Sequence, residues 1–133
     1  MGRLRERTEA ARMALATLRE LPLGSTPTKV ERDAAIQRFE YSFEAVWKTG
    51  LQFLREVEGI DPGSPKGTVR ASLQVGLLDE ADTRMALEMV DDRNLTVHTY
   101  NEALADRIFV RLNGYAATMT RWLDAIERRG SGV

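Results

Sequence analysis

The segment from residue 93 to residue 100 carries side chains that could act on a phosphodiester. It contains the only histidine of the chain and reads Arg93-Asn94-Leu95-Thr96-Val97-His98-Thr99-Tyr100. Arginine is a permanent planar cation suited to phosphate, and histidine gives or takes a proton near neutral pH. Because RNA supplies its own 2′-hydroxyl nucleophile, His98 could move the proton while Arg93 stabilises the charged phosphate. With Asn94 holding the imidazole tautomer or a phosphate oxygen, the segment predicts metal-independent phosphodiester chemistry.

The spacing of Arg93 and His98 sets a condition on this chemistry. Side chains at positions i and i+5 of a regular helix point about 140° apart. The two residues can therefore meet only if the backbone breaks between them, or if one site borrows residues from a second chain. β-branched and polar residues cluster over 91–100, which favours a break, and a homodimer also satisfies the condition.

Each of these residues has a purely structural interpretation as well. His98 could cap a helix end, and Tyr100 could be a half-buried aromatic at the start of a helix. Arg93 could form a salt bridge with a nearby acid, for which the candidates are Asp91, Asp92 and Glu88. These three carboxylates make a poor surface for phosphate unless they point away or neighbouring bases offset them.

Hydrophobic periodicity predicts an all-α protein of four or five helices in an antiparallel up-and-down bundle. The predicted helices span 3–21, 28–58, 65–75, 80–90 and 102–128. Ser64, Asp79 and Asn101 are residue types that cap helix N-termini, and Pro65 suits a first helical position. No alternating apolar and polar run predicts a strand.

The predicted second helix carries the main apolar stripe of the chain. It is about 45 Å long at 1.5 Å per residue, so it must be a spine of the bundle. Its Phe39, Phe43 and Trp47 are interpreted as core rather than as a platform for stacking bases. Glu44 precedes Lys48 in the order that favours an i, i+4 ion pair.

Size and composition predict one domain over 1–128 and a flexible tail over 129–133. The 133 residues include no cysteine, which excludes disulfides and thiol nucleophiles and suits a reducing cytoplasm. The net charge is -1, so RNA binding would need a local basic patch. No apolar run approaches the roughly 20 residues of a membrane span, and we expect a cytoplasmic protein without a membrane segment or cofactor.

Other polar residues offer weaker sites. The candidates for a local basic patch are Arg32, Arg38, Lys48, Lys66 and Arg70, each of which is more often a solvated charge. Glu40 and Glu44 suggest the carboxylate pair of a metal-binding bundle, but the Glu-x-x-His partner motif is absent. Residues 63–67 lack the spacing of a phosphate-binding loop. No metal site and no ATP site are predicted.

Several stretches, taken in order, resemble the nucleotidyltransferase substrate-binding protein family, a branch of the HEPN superfamily. They are 32–48, Ser64-Pro65-Lys66, Gly76-Leu77-Leu78-Asp79 and 89–100. The likeness covers about residues 30 to 125, while the N-terminal helix fits by position only. It is therefore more specific than the short motif alone.

The resemblance assigns roles to the candidate residues. The HEPN signature is an arginine and a polar residue followed a few positions later by histidine, which Arg93, Asn94 and His98 match. In the related HepT toxins a tyrosine follows two residues later, as Tyr100 does. The resemblance implies a metal-independent RNase toxin that works as a homodimer, with the Arg and His sites facing each other. A small nucleotidyltransferase encoded nearby would silence it by transferring AMP to Tyr100.

The resemblance leaves the question of catalysis open. The family name suggests a non-catalytic subunit that docks on a nucleotidyltransferase and presents its substrate or serves as that substrate, whereas the motif favours the RNase. A dimeric scaffold without a ligand is a third interpretation. Enzyme activity is therefore expected only in the first of these, as an endoribonuclease.

Overall fold

Five α-helices and the segments that connect them form residues 2–131, the part of the chain that the computed structural model describes. They are α1 (Gly2–Arg19), α2 (Lys29–Phe53), α3 (Pro65–Gln74), α4 (Glu80–His98) and α5 (Glu102–Ser131). A π-helical segment, Leu54–Glu58, extends α2. No strand occurs among these residues, so the prediction of an all-α bundle is confirmed. None of the described helices is both long and apolar enough to cross a membrane.

Helix α2 is the spine of the bundle, as its length predicted. It packs against each of the other four helices, and α5 packs in turn against α1, α2 and α4. Phe39 of α2 stacks on Tyr115 of α5 with ring centroids 5.4 Å apart. A Cβ at Gly50 would lie 3.1 Å from the Trp122 ring, so glycine there allows α2 and α5 to approach closely.

The predicted core is confirmed. Phe39 and Phe43 are fully buried and Trp47 is half-buried against the same cluster. The apolar seam of α5 is buried along its whole length and consists of Leu104, Ile108, Leu112, Tyr115, Met119, Trp122 and Ile126. Removing these side chains from water supplies most of the stabilisation of such a bundle.

The helix starts follow the capping residues. Ser64 accepts from the Gly67 N–H ahead of Pro65, and Asp79 accepts from the Asp82 N–H. Asn101 accepts from the Leu104 N–H at 2.7 Å. These three predicted caps are confirmed. Thr28 adds a capping box with Glu31 at the start of α2.

Helix α4 corrects one prediction. The expected break over 91–100 is wrong, because α4 continues without interruption to His98. The Thr96 hydroxyl bonds to a carbonyl of the preceding turn, and the Thr99 N–H bonds to the Leu95 carbonyl at 2.8 Å. β-branched residues cost a helix less than about 1 kcal/mol each, which the hydrogen-bond ladder and the buried turns before it outweigh.

Helix α5 is longer than predicted. It was expected to end at Arg128, but it extends to Ser131, so residues 129–131 of the expected tail are helical. Arg129 explains the extension, because its guanidinium bonds to the Val75 carbonyl and to Glu58, each at 2.7 Å. It also lies over the Phe53 ring. The rest of the expected tail, 132–133, and residue 1 of the predicted domain lie outside the described residues.

Candidate functional site

Arg93 lies in the groove between α4 and α2, where its guanidinium forms an ion pair with an acidic residue of α2. Its Nη2 lies 3.1 Å from Oε2 of Glu44. The alternative pairing with Asp91, Asp92 or Glu88 is wrong, because residues one, two and five positions away along a helix do not face it. The Arg93 side chain is 31% exposed, while its Nε is buried and has no hydrogen-bond partner within residues 2–131.

Glu44 is held in place by further donors. Trp47 Nε1 donates to Oε2 at 3.1 Å, and Lys48 Nζ lies 3.1 Å from Oε1, which confirms the predicted ion pair. Burial raises the pKa of Glu44, but the hydrogen bonds from Trp47 and Lys48 and the charge of Arg93 outweigh it, so the pKa lies below its usual value. Glu44 is therefore ionised at neutral pH and neutralises Arg93 within one chain.

The three acids near Arg93 have partners of their own. The pairs are Asp91 with Lys66 at 2.8 Å, Asp92 with Arg111 at 2.9 Å and with Tyr115, and Glu88 with Tyr115 at 2.9 Å. Burial raises the pKa of Tyr115, and the two carboxylates beside it raise it further, so its phenol stays protonated. These acids are directed away from Arg93 or offset by bases, which removes one objection to phosphate binding.

Asn94 and His98 lie one turn apart on a different side of α4. Both are exposed, and the His98 ring has no hydrogen-bond partner within the described part of the chain. His98 belongs to the last turn of α4, where a cation interacts favourably with the helix dipole. His98 is the last residue of the helix, and the C-cap residue is Thr99 rather than His98.

Tyr100 lies in the short connection between α4 and α5. It is 67% exposed, so it is not the half-buried aromatic of the structural interpretation. Its hydroxyl accepts from Nη2 of Arg32 at 3.1 Å and donates to Oδ2 of Asp33 at 3.3 Å. A pocket of about 220 Å³ between α2 and the start of α5 opens beside the ring.

Arg32 was a candidate for a basic patch and is instead buried. Its side chain is 4% exposed, and it forms ion pairs with Asp33 and Asp106, each at 3.0 Å, and with Glu102 at 3.6 Å. The hydrogen bonds to Asp33 and Asp106 raise its pKa, although burial acts in the opposite direction. Arg32 is thus a fixed internal cation rather than a mobile surface charge.

The other predicted patch residues are mostly neutralised. Arg38 pairs with Glu20, Lys48 with Glu44 and Lys66 with Asp91. Arg70 is exposed on α3 without a described ion pair. The five residues therefore form no common basic surface within one chain.

The arrangement separates the candidate residues into two groups. Arg93 lines a groove beside α2, and Tyr100 lines a neighbouring pocket that shares Glu40 with this groove. Asn94 and His98 line neither of them. No cluster of three or more potential metal ligands occurs among residues 2–131. The contacts of Arg93 and Tyr100 with α2 were missed, because no sequence signal joins residues this far apart in the chain.

The sequence of the chain matches a known protein family. The family described as nucleotidyltransferase substrate binding protein like matches residues 6–128. The chain belongs to this family. The match includes most of α1, so the N-terminal helix is part of the family domain and not an addition to it.

Two solved structures have the same fold as this chain. A crystal structure of a protein from Thermus thermophilus is 57% identical with a TM-score of 0.84, and the match covers 87% of this chain and 98% of that chain. A mutant of the toxin–antitoxin MntA-HpeT gives a TM-score of 0.76 at 15% identity, covering 94% of this chain and 97% of that chain. The second likeness shows the fold alone. No curated protein matches the sequence significantly.

Proposed function

We propose that the chain is the metal-independent RNase toxin of a toxin–antitoxin pair. It works as a cytoplasmic homodimer, and a partner nucleotidyltransferase controls it by adding AMP to Tyr100. The family description and the fold shared with a chain of the toxin–antitoxin MntA-HpeT support this proposal. The observation that carries it is the exposure of Asn94, His98 and Tyr100 at the end of α4, where none of the three packs into the core.

A second copy of the chain brings together Arg93 and His98, which one chain alone holds apart. Arg93 faces the α2 groove, whereas His98 lies five positions on along an unbroken helix and points about 140° away. Tyr41 and Val97 line the Arg93 groove with 43% and 44% of their surface exposed. Exposed apolar side chains beside a polar site suit a contact between proteins. A two-fold axis at this groove would let Arg93 of one copy and His98 of the other share one phosphate.

The reaction in such a site balances without a metal. His98 accepts the proton of the ribose 2′-hydroxyl, the 2′-oxygen bonds to phosphorus, and the bond from phosphorus to the 5′-oxygen breaks. Arg93 stabilises the negative charge of the pentavalent phosphate. The leaving 5′-oxygen takes a proton from water, and the products are a 2′,3′-cyclic phosphate and a 5′-hydroxyl. Asn94, one turn from His98, orients the imidazole or a phosphate oxygen.

Cleavage of end-labelled RNA in EDTA tests this function. We expect wild-type protein to cleave, and His98→Ala and Arg93→Ala each to lose about 100-fold or more in rate. Arg84→Ala is the matched control, because Arg84 is another exposed arginine of α4 outside the site, and it should cleave at the wild-type rate. Loss of wild-type cleavage on adding EDTA, or full activity of His98→Ala, would contradict the proposal.

A non-catalytic substrate-binding subunit is the second candidate function. It is favoured by the pairing of Arg93 with Glu44, which already neutralises the cation that RNA would need. Such a subunit would dock on a nucleotidyltransferase and present a substrate to it, or be modified itself. This function predicts no cleavage by any variant, with the dimer intact and with binding to the nucleotidyltransferase retained.

A further inference from the structure

The hydroxyl of Tyr100 lies between a buried cation and a carboxylate. Arg32 Nη2 donates to it at 3.1 Å, and it donates in turn to Oδ2 of Asp33 at 3.3 Å. The residue itself is 67% exposed. The side chain therefore stays open to an incoming reactant, while the two polar groups at its hydroxyl come from one turn of α2.

Arg32 is held more firmly than the anchoring of an exposed tyrosine requires. Its 4% exposed guanidinium is fixed by Asp33 and Asp106 at 3.0 Å and lies 3.6 Å from Glu102. An exposed phenol makes equivalent hydrogen bonds to water, so the contact with Arg32 adds little net stability. A fixed donor is useful in another way, because it can stabilise charge that develops during a reaction without reorganising.

The pocket beside Tyr100 has the lining that a nucleoside needs. Its volume is about 220 Å³, and Ile36 and Leu104 contribute apolar walls. Gln37 and Asn101 contribute amides that can both donate and accept hydrogen bonds. A flat base with polar edges fits an apolar pocket that carries a few polar groups.

We propose that Arg32 and Asp33 prime Tyr100 as a nucleophile toward a nucleoside triphosphate, and that the pocket receives the nucleoside. This inference rests on the proposed function, in which a nucleotidyltransferase modifies Tyr100. The phenolic oxygen bonds to the α-phosphorus, and the bond from that phosphorus to the pyrophosphate oxygen breaks. Pyrophosphate leaves, and the hydroxyl proton passes to Oδ2 of Asp33. Arg32 stabilises the negative charge that builds on the phenolic oxygen.

Intact-mass spectrometry of the full-length protein with its nucleotidyltransferase, ATP and magnesium tests the priming. Asp33→Asn should slow the addition of AMP by about 100-fold, the usual scale of general-base catalysis. Asp61→Asn is the matched control, because Asp61 also pairs with an arginine, Arg55, at 3.1 Å and makes no contact with Arg32 or Tyr100 among the described residues. It should stay within about threefold of wild type, a change of less than about 1 kcal/mol in barrier.

The pH profile separates a proton acceptor from a merely structural aspartate. With Asp33→Asn, the rate should rise with pH as hydroxide takes over removal of the proton, while the wild-type rate changes little over the same range. Asp33→Glu keeps a carboxylate and should recover a measurable part of the rate. Equal rates and parallel pH profiles for wild type and Asp33→Asn would overturn the inference. Should Asp33→Asn fail to fold, Asp33→Ser replaces it, and Asp33→Ser and Asp33→Glu variants with equal rates and parallel pH profiles would overturn the inference too.

Failure of the proposed function gives a different result from failure of the priming. If wild-type protein takes up no AMP, or if Tyr100→Phe takes up as much as wild type, the modification of Tyr100 is excluded and the inference falls with it. If wild type is modified on Tyr100 and Asp33→Asn is modified equally fast, only the roles of Arg32 and Asp33 are overturned.

Discussion

Glu44 controls how readily Arg93 meets an anion. The two side chains are each about 30% exposed and lie 3.1 Å apart. A pair of this exposure contributes at most about 1 kcal/mol, because solvent screens it. A phosphate can therefore displace Glu44 from Arg93. The ion pair restrains the arginine weakly and does not prevent it from binding an anion.

Glu44→Gln should strengthen RNA binding. The amide oxygen of glutamine can still accept from Trp47, but the charge that competes with phosphate for Arg93 is gone. We expect the dissociation constant for RNA to fall by up to about fivefold, which corresponds to about 1 kcal/mol. Fluorescence anisotropy with a non-cleavable 2′-deoxy analogue measures this at fixed salt.

Glu40→Gln is the control for that experiment. Glu40 lines the same groove and carries the same charge, but no ion pair between it and Arg93 is described. It should change the affinity less than Glu44→Gln does. If Glu44→Gln instead weakens binding as much as Arg93→Ala, then Glu44 positions the arginine and does not compete for it.

Single residues differ in how far the sequence predicts them. Arg93, His98 and Tyr100 stand out because their types and spacing match a known signature. Their contacts with Glu44 and Arg32 do not, because these depend on how α4 packs against α2. Position along one helix is readable from a 3.6-residue period, whereas the partner across a helix interface is not.

Helix α4 determines which candidate residues can act together. Since it continues to His98, one chain presents Arg93 and His98 on different sides, and the proposed reaction therefore requires the two residues to come from two chains. The caps at Ser64, Asp79 and Asn101 were predictable because capping is local chemistry. The length of α4 could not be predicted in this way. Its last turns continue a helix whose earlier turns are stabilised by burial, and that burial is not visible in the local sequence.

Asp82 links the beginning of α4 to α5 through an ion pair. Its carboxylate is 12% exposed, and it accepts from Arg121 Nε at 2.9 Å and from Nη2 at 2.8 Å. The hydrogen bonds from Arg121 lower the pKa of Asp82 against the opposing effect of burial. The ionised form therefore stabilises the fold above the unfolded pKa of aspartate, and this contribution is lost as the pH falls through the lower folded value.

Asp82→Asn should lower the free energy of unfolding by about 2 kcal/mol at about pH 7, the scale of hydrogen bonds to charged groups. The difference from wild type should shrink as the pH falls below about 4, where aspartate is protonated in the unfolded chain. Urea denaturation at both pH values measures it. Asp91→Asn is the control, because Asp91 is 61% exposed in its pair with Lys66, and it should cost at most about 1 kcal/mol. Equal losses for the two variants would contradict the role of Asp82.

The arrangement of the helices in the bundle was the feature that the sequence predicted best. Three long amphipathic helices with correct caps leave few ways to bury their apolar faces, and the spine position of α2 followed from its length. The proposed assembly of two copies was less predictable. The exposed apolar residues proposed for it, such as Tyr41 and Val97, can be recognised only once the helices are packed.

Charge at the level of the whole molecule limits how the chain could bind RNA. The net charge is -1, and most of the predicted basic patch is paired with acids within the chain. One chain thus offers no broad cationic field for RNA. An RNase built on it must rely on a compact composite site in which each copy supplies part of the chemistry.

Cleavage by a mixture of Arg93→Ala and His98→Ala chains tests that composite site most directly. In a mixed dimer one site keeps both residues, the arginine from one chain and the histidine from the other. After the two variants are unfolded and refolded together, we expect about a quarter of the wild-type rate, because half of the dimers are mixed and each has one of two sites intact. Each variant alone should be inactive. A mixture as inactive as its parents, alongside active wild-type protein treated in the same way, would contradict the account.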